Sequence, residues 1–121
     1  MNNKELADLL FDDSVKPIQF WLDKYPARDL PKNAEVTRIG PSPTGFLHIG
    51  AIYMGLINRR ISDDTKGVFY LRIEDTDTER EIQGARELIV KGFEEFGIKF
   101  DEGIDKDGKE FGNYGPYLQT K

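Results

Sequence analysis

From Val36 to Ile73 the chain switches between two hydrophobic periods, and that switch fixes the fold class. Val36 to Ile39 is a short, largely β-branched run closed by a turn. Ile49, Ile52, Tyr53, Leu56, Ile57 and Ile61 then recur at helical spacing, which predicts an amphipathic helix from about Ile49 to Ser62. Residues 63–67 (Asp-Asp-Thr-Lys-Gly) break it, and Val68 to Ile73 is a mostly apolar run suited to a strand buried on both faces of a parallel sheet. Strand, helix and strand in such close succession make a βαβ unit, so the class is α/β with a parallel sheet.

The turn inside that unit reads Gly40-Pro-Ser-Pro-Thr-Gly-Phe-Leu-His-Ile-Gly50 and carries the only histidine in 121 residues. A strand-to-helix turn is where open α/β sheets bind phosphates. The first N–H groups of the helix lack partners inside it, and its dipole is positive there. Two prolines and two hydroxyl residues make this turn stiff and rich in donors. His48 at the helix entrance would face any anion bound there and suits stabilisation of charge developing on a phosphate. The plainer alternative is an imidazole filling a hydrogen-bonding niche. Gly45 and Gly50 read either as turn residues or, for Gly50, as an opening for a base or ribose. The loop matches neither the dinucleotide fingerprint nor the Walker pattern.

The end of the second strand, Arg72-Ile-Glu-Asp-Thr-Asp77, is the other chemical segment. Asp77 and Thr78 are natural helix-start residues. Glu74 has no such explanation, because it emerges at the carboxyl edge of the sheet, the ligand side. A carboxylate there can receive an ammonium group, and Arg38 on the first strand can bind a carboxylate by a forked contact. Together the two can grip an amino acid from both ends. The sequence Asp105-Lys-Asp-Gly108 hints at a calcium loop, but its register puts Tyr114 where a glutamate is required, so a surface turn is expected.

Around this unit the pattern is helical. Residues 3–11 read as a helix capped by Asn2 or Asn3. Residues 15–25 read as a second, capped by Asp13 or Ser14, with Ile18, Trp21, Leu22 and Tyr25 as its apolar face. Pro26 and Pro31 mark a connector, so residues 1–34 form a helical extension and residues 35–121 the main domain. A third helix is predicted after Asp77, with Thr78 and Glu81 as a capping box, Ile82, Ala85, Ile89, Phe93 and Phe96 as its core stripe, and Gly97 at its end. No regular element is expected from Phe100 onward.

With no cysteine and one histidine, disulfides, thiolate metal sites and multi-histidine zinc sites are excluded, and no metal ligands are assigned. The net charge of −5 argues against a dedicated nucleic-acid-binding domain but leaves a local RNA contact open. No apolar run approaches a membrane span and Met1 to Leu10 is no signal peptide, so a soluble cytoplasmic protein, by default a monomer, is expected. A parallel sheet usually needs more than two strands, so the chain reads as a fragment.

Three blocks in order resemble class I aminoacyl-tRNA synthetases of the bacterial glutamyl type. They are Pro41-Ser-Pro-Thr-Gly-Phe-Leu-His-Ile-Gly50, Arg72-Ile-Glu-Asp-Thr-Asp77 and Tyr114-Gly-Pro-Tyr-Leu-Gln119. The glutaminyl branch would show Pro-Glu-Pro-Asn-Gly and Asp-Asp-Thr-Asn instead. The resemblance implies the first half of a Rossmann-like catalytic domain that joins ATP and glutamate into glutamyl-adenylate, then passes the glutamyl group to tRNA(Glu). Magnesium would accompany the ATP. By position it implies that Arg38 contacts the glutamate side chain, Ser42 helps hold the amino acid and Glu74 takes its α-ammonium. It also implies an ATP site of Pro41, Ser42, Pro43, Thr44, Gly45, His48 and Gly50, with His48 acting on the phosphates. Departures are Ala51 at the fourth signature position, Thr120 where serine is usual, and no lysine-rich closing loop. Such a fragment is expected to be very slow alone. The competing readings are the truncated paralogue that glutamylates a modified tRNA base, and a synthetase-like module kept only for binding.

Overall fold

The computed structural model describes residues 2–11, 14–77, 79–80 and 82–121. At its centre β1 (Val36–Ile39) pairs in parallel with β2 (Val68–Leu71), Val36 opposite Val68 and Ile39 opposite Leu71. The intervening α3 (Ile49–Thr65) completes the βαβ unit. Beyond β2 the sheet is widened by two parallel bridges, Tyr70 with Glu102 and Ile73 with Leu118. The fold is thus a partial Rossmann-like sheet with flanking helices.

Phe69, Leu71 and Ile73 point to one face and are fully buried against Ile89 and Phe93 of α4 (Ala85–Glu95), with Ile98 and Ile104 closing the core. Burial on both faces does not hold, since Val68, Tyr70 and Arg72 are only half-buried. Their side of the sheet borders a cavity of about 370 Å³ whose walls include Tyr25, Arg28, Tyr114 and Tyr117.

The buried stripe of α3 also departs from the periodicity. Ile52, Gly55 and Ser62 face the core, while Ile49, Tyr53, Leu56 and Ile61 are exposed. The reason is close approach. A Cβ on Gly55 would lie 2.8 Å from the ring of Phe93, so the missing side chain lets the two helices meet. Ser62 Oγ donates to Val68 O at 3.1 Å and shares a 2.7 Å hydrogen bond with Thr37 Oγ1, stitching helix to sheet.

α4 starts at Ala85, not after Asp77, because Asp77 closes a local turn instead. It accepts from Arg80 N at 3.2 Å and from Arg80 Nε at 2.6 Å. Gly84, at φ 79°, then sets the left-handed step into the helix. The Thr78–Glu81 box lies outside the described residues, and Ile82 and Phe96 are exposed rather than in the core stripe. Gly97 does end the helix, at φ 72°. Residues expected to be irregular form a hairpin of β3 (Gly103–Ile104) and β4 (Glu110–Phe111). Asp105 Oδ1 accepts from Asp107 N and Lys109 N at 2.9 Å each, so this acidic run is the expected turn.

In the extension, α1 (Asn3–Leu10) carries the expected cap. Asn2 accepts from Lys4 N and Glu5 N, and Glu5 accepts from Asn2 N at 2.8 Å. α2 (Ile18–Lys24) is shorter than expected and starts at Pro17 with no side-chain cap; Asp13 lies outside the described residues. Its apolar face is not buried, Ile18 and Leu22 being largely exposed, and only Tyr25 is partly covered.

Candidate active site

The loop after β1 folds over the carboxyl edge of the sheet and encloses a cavity of about 710 Å³. Gly40, Pro41, Ser42, Thr44 and Gly45 form one wall. His48, Gly50 and Met54 of the α3 entrance form the other, with Ile89 of α4 among the apolar side chains lining it. Pro43 is not on the wall. It is fully buried behind the loop, where its carbonyl accepts from Ile82 N at 3.0 Å and anchors the turn to the start of α4. Leu47 seats the other end, lying 3.2 Å from where a Cβ on Gly92 would be.

His48 is the N-cap of α3. Its Nδ1 accepts from Gly50 N at 3.1 Å, a task usually done by a serine, threonine or aspartate oxygen. Its carbonyl accepts from Ala51 N at 3.0 Å and Ile52 N at 3.3 Å. The open first-turn amides expected for an anion are therefore already occupied at Gly50 and Ala51. The imidazole edge stays open to a ligand. With Nδ1 accepting, a neutral ring carries its proton on Nε2, and His48 is exposed at the cavity. Gly50 has its reason here too. A Cβ would sit 3.0 Å from the Nδ1 and Cε1 of His48, crowding the capping ring. Gly45 faces open space, so nothing in the packing forbids a side chain there.

Arg38 on β1 and Glu74, just past the end of β2, meet as an ion pair of 2.9 Å, each partly exposed. The pair adjoins the cavity through Gly40. A Cβ on Gly40 would lie 2.5 Å from Glu74 Oε1, so the bare backbone makes room for the carboxylate. Glu74 N donates to Pro41 O at 3.0 Å, tying the strand end to the loop. Arg38, Glu74 and the His48 cavity thus share one edge of the sheet.

Two acidic residues beside these were not singled out from the sequence. Asp75 is buried and accepts from Thr120 N at 3.0 Å, Thr120 Oγ1 at 2.8 Å and Arg86 Nη2 at 3.0 Å. Burial pushes its carboxyl upward, but the Thr120 bonds and the Arg86 charge outweigh that and hold it below the usual carboxylate range. Glu102 is buried against Arg28 and Tyr117. Burial raises it, and the hydrogen bonds from both, together with the Arg28 charge, bring it below its ordinary value. The available signal for Asp75 was its place in the charged run from Glu74 to Asp77; Glu102 had none. Among the described residues no group of three or more histidine, cysteine or acidic side chains can hold a metal ion, and no helix is long and apolar enough to cross a membrane.

The chain is 46% identical over 121 residues to the glutamate–tRNA ligase of Clostridium perfringens strain 13, covering all of this chain and 22% of that protein. It is 48% identical to the ligase of Acetivibrio thermocellus, covering 99% of this chain and 22% of that one. Among solved structures, a glutamate tRNA ligase from Elizabethkingia meningosepticum in complex with its amino acid superposes with a TM-score of 0.64 at 38% identity, covering 73% of this chain and 17% of that one. The chain therefore spans about a fifth of the length of the relatives it matches. The model for the catalytic domain of class I tRNA synthetases (E and Q) matches residues 35–120, which takes in both walls of the cavity and the Arg38–Glu74 pair, and the chain belongs to that family.

Proposed function

We propose that this chain supplies the glutamate-binding and phosphate-facing part of a glutamate–tRNA ligase, acting on tRNA(Glu). The observation that carries the reading is the Arg38–Glu74 pair at the rim of the cavity closed by the Gly40–Gly50 loop. A guanidinium and a carboxylate side by side can part to take the side-chain carboxylate and the α-ammonium of glutamate, with Ser42 on the neighbouring wall. The α-carboxylate is then left free to attack the α-phosphorus of ATP. The P–O bond to pyrophosphate breaks, and glutamyl-adenylate forms. His48 Nε2–H faces the phosphates and stabilises the charge that grows on them as pyrophosphate departs. In the second step the terminal ribose hydroxyl of the tRNA displaces AMP. Magnesium enters this reading on the ATP phosphates, since the described side chains offer no cage of their own. A cytoplasmic monomer is the setting we assign.

The test is pyrophosphate exchange by the full-length protein with tRNA present. Exchange that depends on glutamate and not on glutamine or aspartate is the expected result; none with any amino acid would point to a binding module. Analysis of the charged tRNA separates the rest. Glutamate on the terminal ribose supports the proposal, whereas glutamate on a modified base would replace it with the paralogue's reaction.

A further inference from the structure

The sequence assigns residues 1–34 no chemistry, yet residues 25–28 reach to the far end of the chain. Tyr25 Oη donates to Gly115 O and Tyr114 Oη donates to Pro26 O, both at 2.7 Å. The two rings stack with centroids 6.5 Å apart. The Arg28 guanidinium lies 3.7 Å over the Tyr114 ring and forks onto both oxygens of Glu102, one leg at 2.8 Å. Glu102 also accepts from Tyr117 Oη at 2.8 Å, and that oxygen accepts from Tyr114 N at 3.0 Å. Arg28, Glu102, Tyr117 and Tyr114 therefore close a circuit in which each member fixes the next.

The circuit ends on the segment after β2 that carries Glu74. Ile73 N donates to Tyr117 O at 2.9 Å, Gln119 N to Ile73 O at 3.0 Å and Thr120 N to Asp75 Oδ1 at 3.0 Å. Residues 117–120 thus lie alongside residues 73–75 and hold the peptide on either side of Glu74. A planar, forked and stacked guanidinium suits this task, because both its orientation and its charge are used. Neither α1 nor α2 contributes a buried residue, and the contacts described above join the extension to the domain through Tyr25, Pro26 and Arg28.

We propose that Arg28 is a positioning residue for the glutamate site: by clamping the Tyr114–Tyr117 turn it holds residues 117–120, and through them Glu74, in register. The inference rests on Glu74 as the ammonium partner, and its test separates the two. Amide exchange and steady-state kinetics are measured on the full-length protein, wild type and Arg28→Gln, with Arg28→Lys as the milder variant. Expected for Arg28→Gln is exchange about tenfold faster at Gln119 and Thr120 with α3 amides unchanged, and a glutamate KM raised about tenfold with the ATP KM unchanged. Arg28→Lys, which keeps the charge without the fork, falls between. Unchanged exchange at Gln119 and Thr120 overturns the clamp. Faster exchange throughout the chain, or a fall in kcat with no change in glutamate KM, overturns the positioning role in favour of a purely structural one. If wild type shows no glutamate-dependent exchange of pyrophosphate, the functional reading fails, and with it the role toward glutamate.

Discussion

Arg38 Nη1 donates to Glu74 Oε1 at 2.9 Å, so the two side chains we propose for opposite ends of the substrate hold each other. A zwitterionic ligand can replace the pair one for one. Its carboxylate takes the guanidinium as its ammonium takes the carboxylate. Because both groups are half exposed, parting them gives up little stability.

The first prediction follows from that exchange. Arg38→Met and Glu74→Gln, made in the full-length protein, each raise the glutamate KM by roughly 10–100-fold, the weight of a charge-assisted hydrogen bond, and leave the urea midpoint nearly unchanged. Steady-state pyrophosphate exchange and urea titration measure the two. An unaltered glutamate KM in either variant removes that residue from the site.

His48 caps α3, and the phosphate-facing task we propose for it can be separated from that one. His48→Ala loses the cap and about 1 kcal/mol of helix stability. It also loses roughly 10²–10³ in activation rate, as expected for a donor to developing charge. His48→Asn restores a good N-cap through its side-chain oxygen but is too short to place a donor at the imidazole's far edge. It should recover the stability and not the rate. Thermal unfolding beside single-turnover activation decides this, and recovery of both in the asparagine variant would reduce His48 to a cap.

How much of this was written in the sequence depends on the kind of interaction. The βαβ unit was legible because β-branched runs and a helical repeat separated by a stiff turn leave few alternatives. That Arg38, Glu74 and the His48 loop share one edge was legible because strand ends and the turns that follow them gather at the carboxyl edge of a parallel sheet. The buried stripe of α3 was not, since Gly55 and Ser62 face the core through close approach and hydrogen bonding, which a hydrophobic repeat does not weigh. Glu102 was hidden for a related reason. Its partner Arg28 lies 74 residues away, and nothing local to either marks the contact.

The Asp75–Thr120 contact gives a third prediction. The Thr120 hydroxyl and amide satisfy a buried carboxylate that also accepts from Arg86. Thr120→Val removes the hydroxyl donor at nearly constant volume and should lower stability by about 1–3 kcal/mol; Thr120→Ser keeps the donor and should stay close to wild type. Urea unfolding of the three proteins measures the difference. Equal loss in the serine and valine variants would assign the effect to the methyl group instead.

The Tyr117 hydroxyl gives a prediction for alkaline solution. Burial pushes this phenol up to about 12, the bond from Tyr114 N pulls it back, and the bond it donates to Glu102 adds to the rise. An unfolded tyrosine titrates near pH ~10. The folded state therefore keeps the proton after the unfolded chain has begun to lose it. The resulting stability is fully present below pH ~10 and is lost as the pH rises through about 12. A shift of this size corresponds to about 2–3 kcal/mol. Tyr117→Phe lacks the ionisable group. It starts less stable, because Glu102 and Tyr114 N each lose a partner, but it should show a shallower decline across this window. Lysines and the remaining tyrosines titrate in both proteins, so the difference between the two urea-stability curves isolates Tyr117. Parallel curves between pH ~10 and ~12 would mean that the Tyr117 proton is held no more tightly in the folded chain than in the unfolded one.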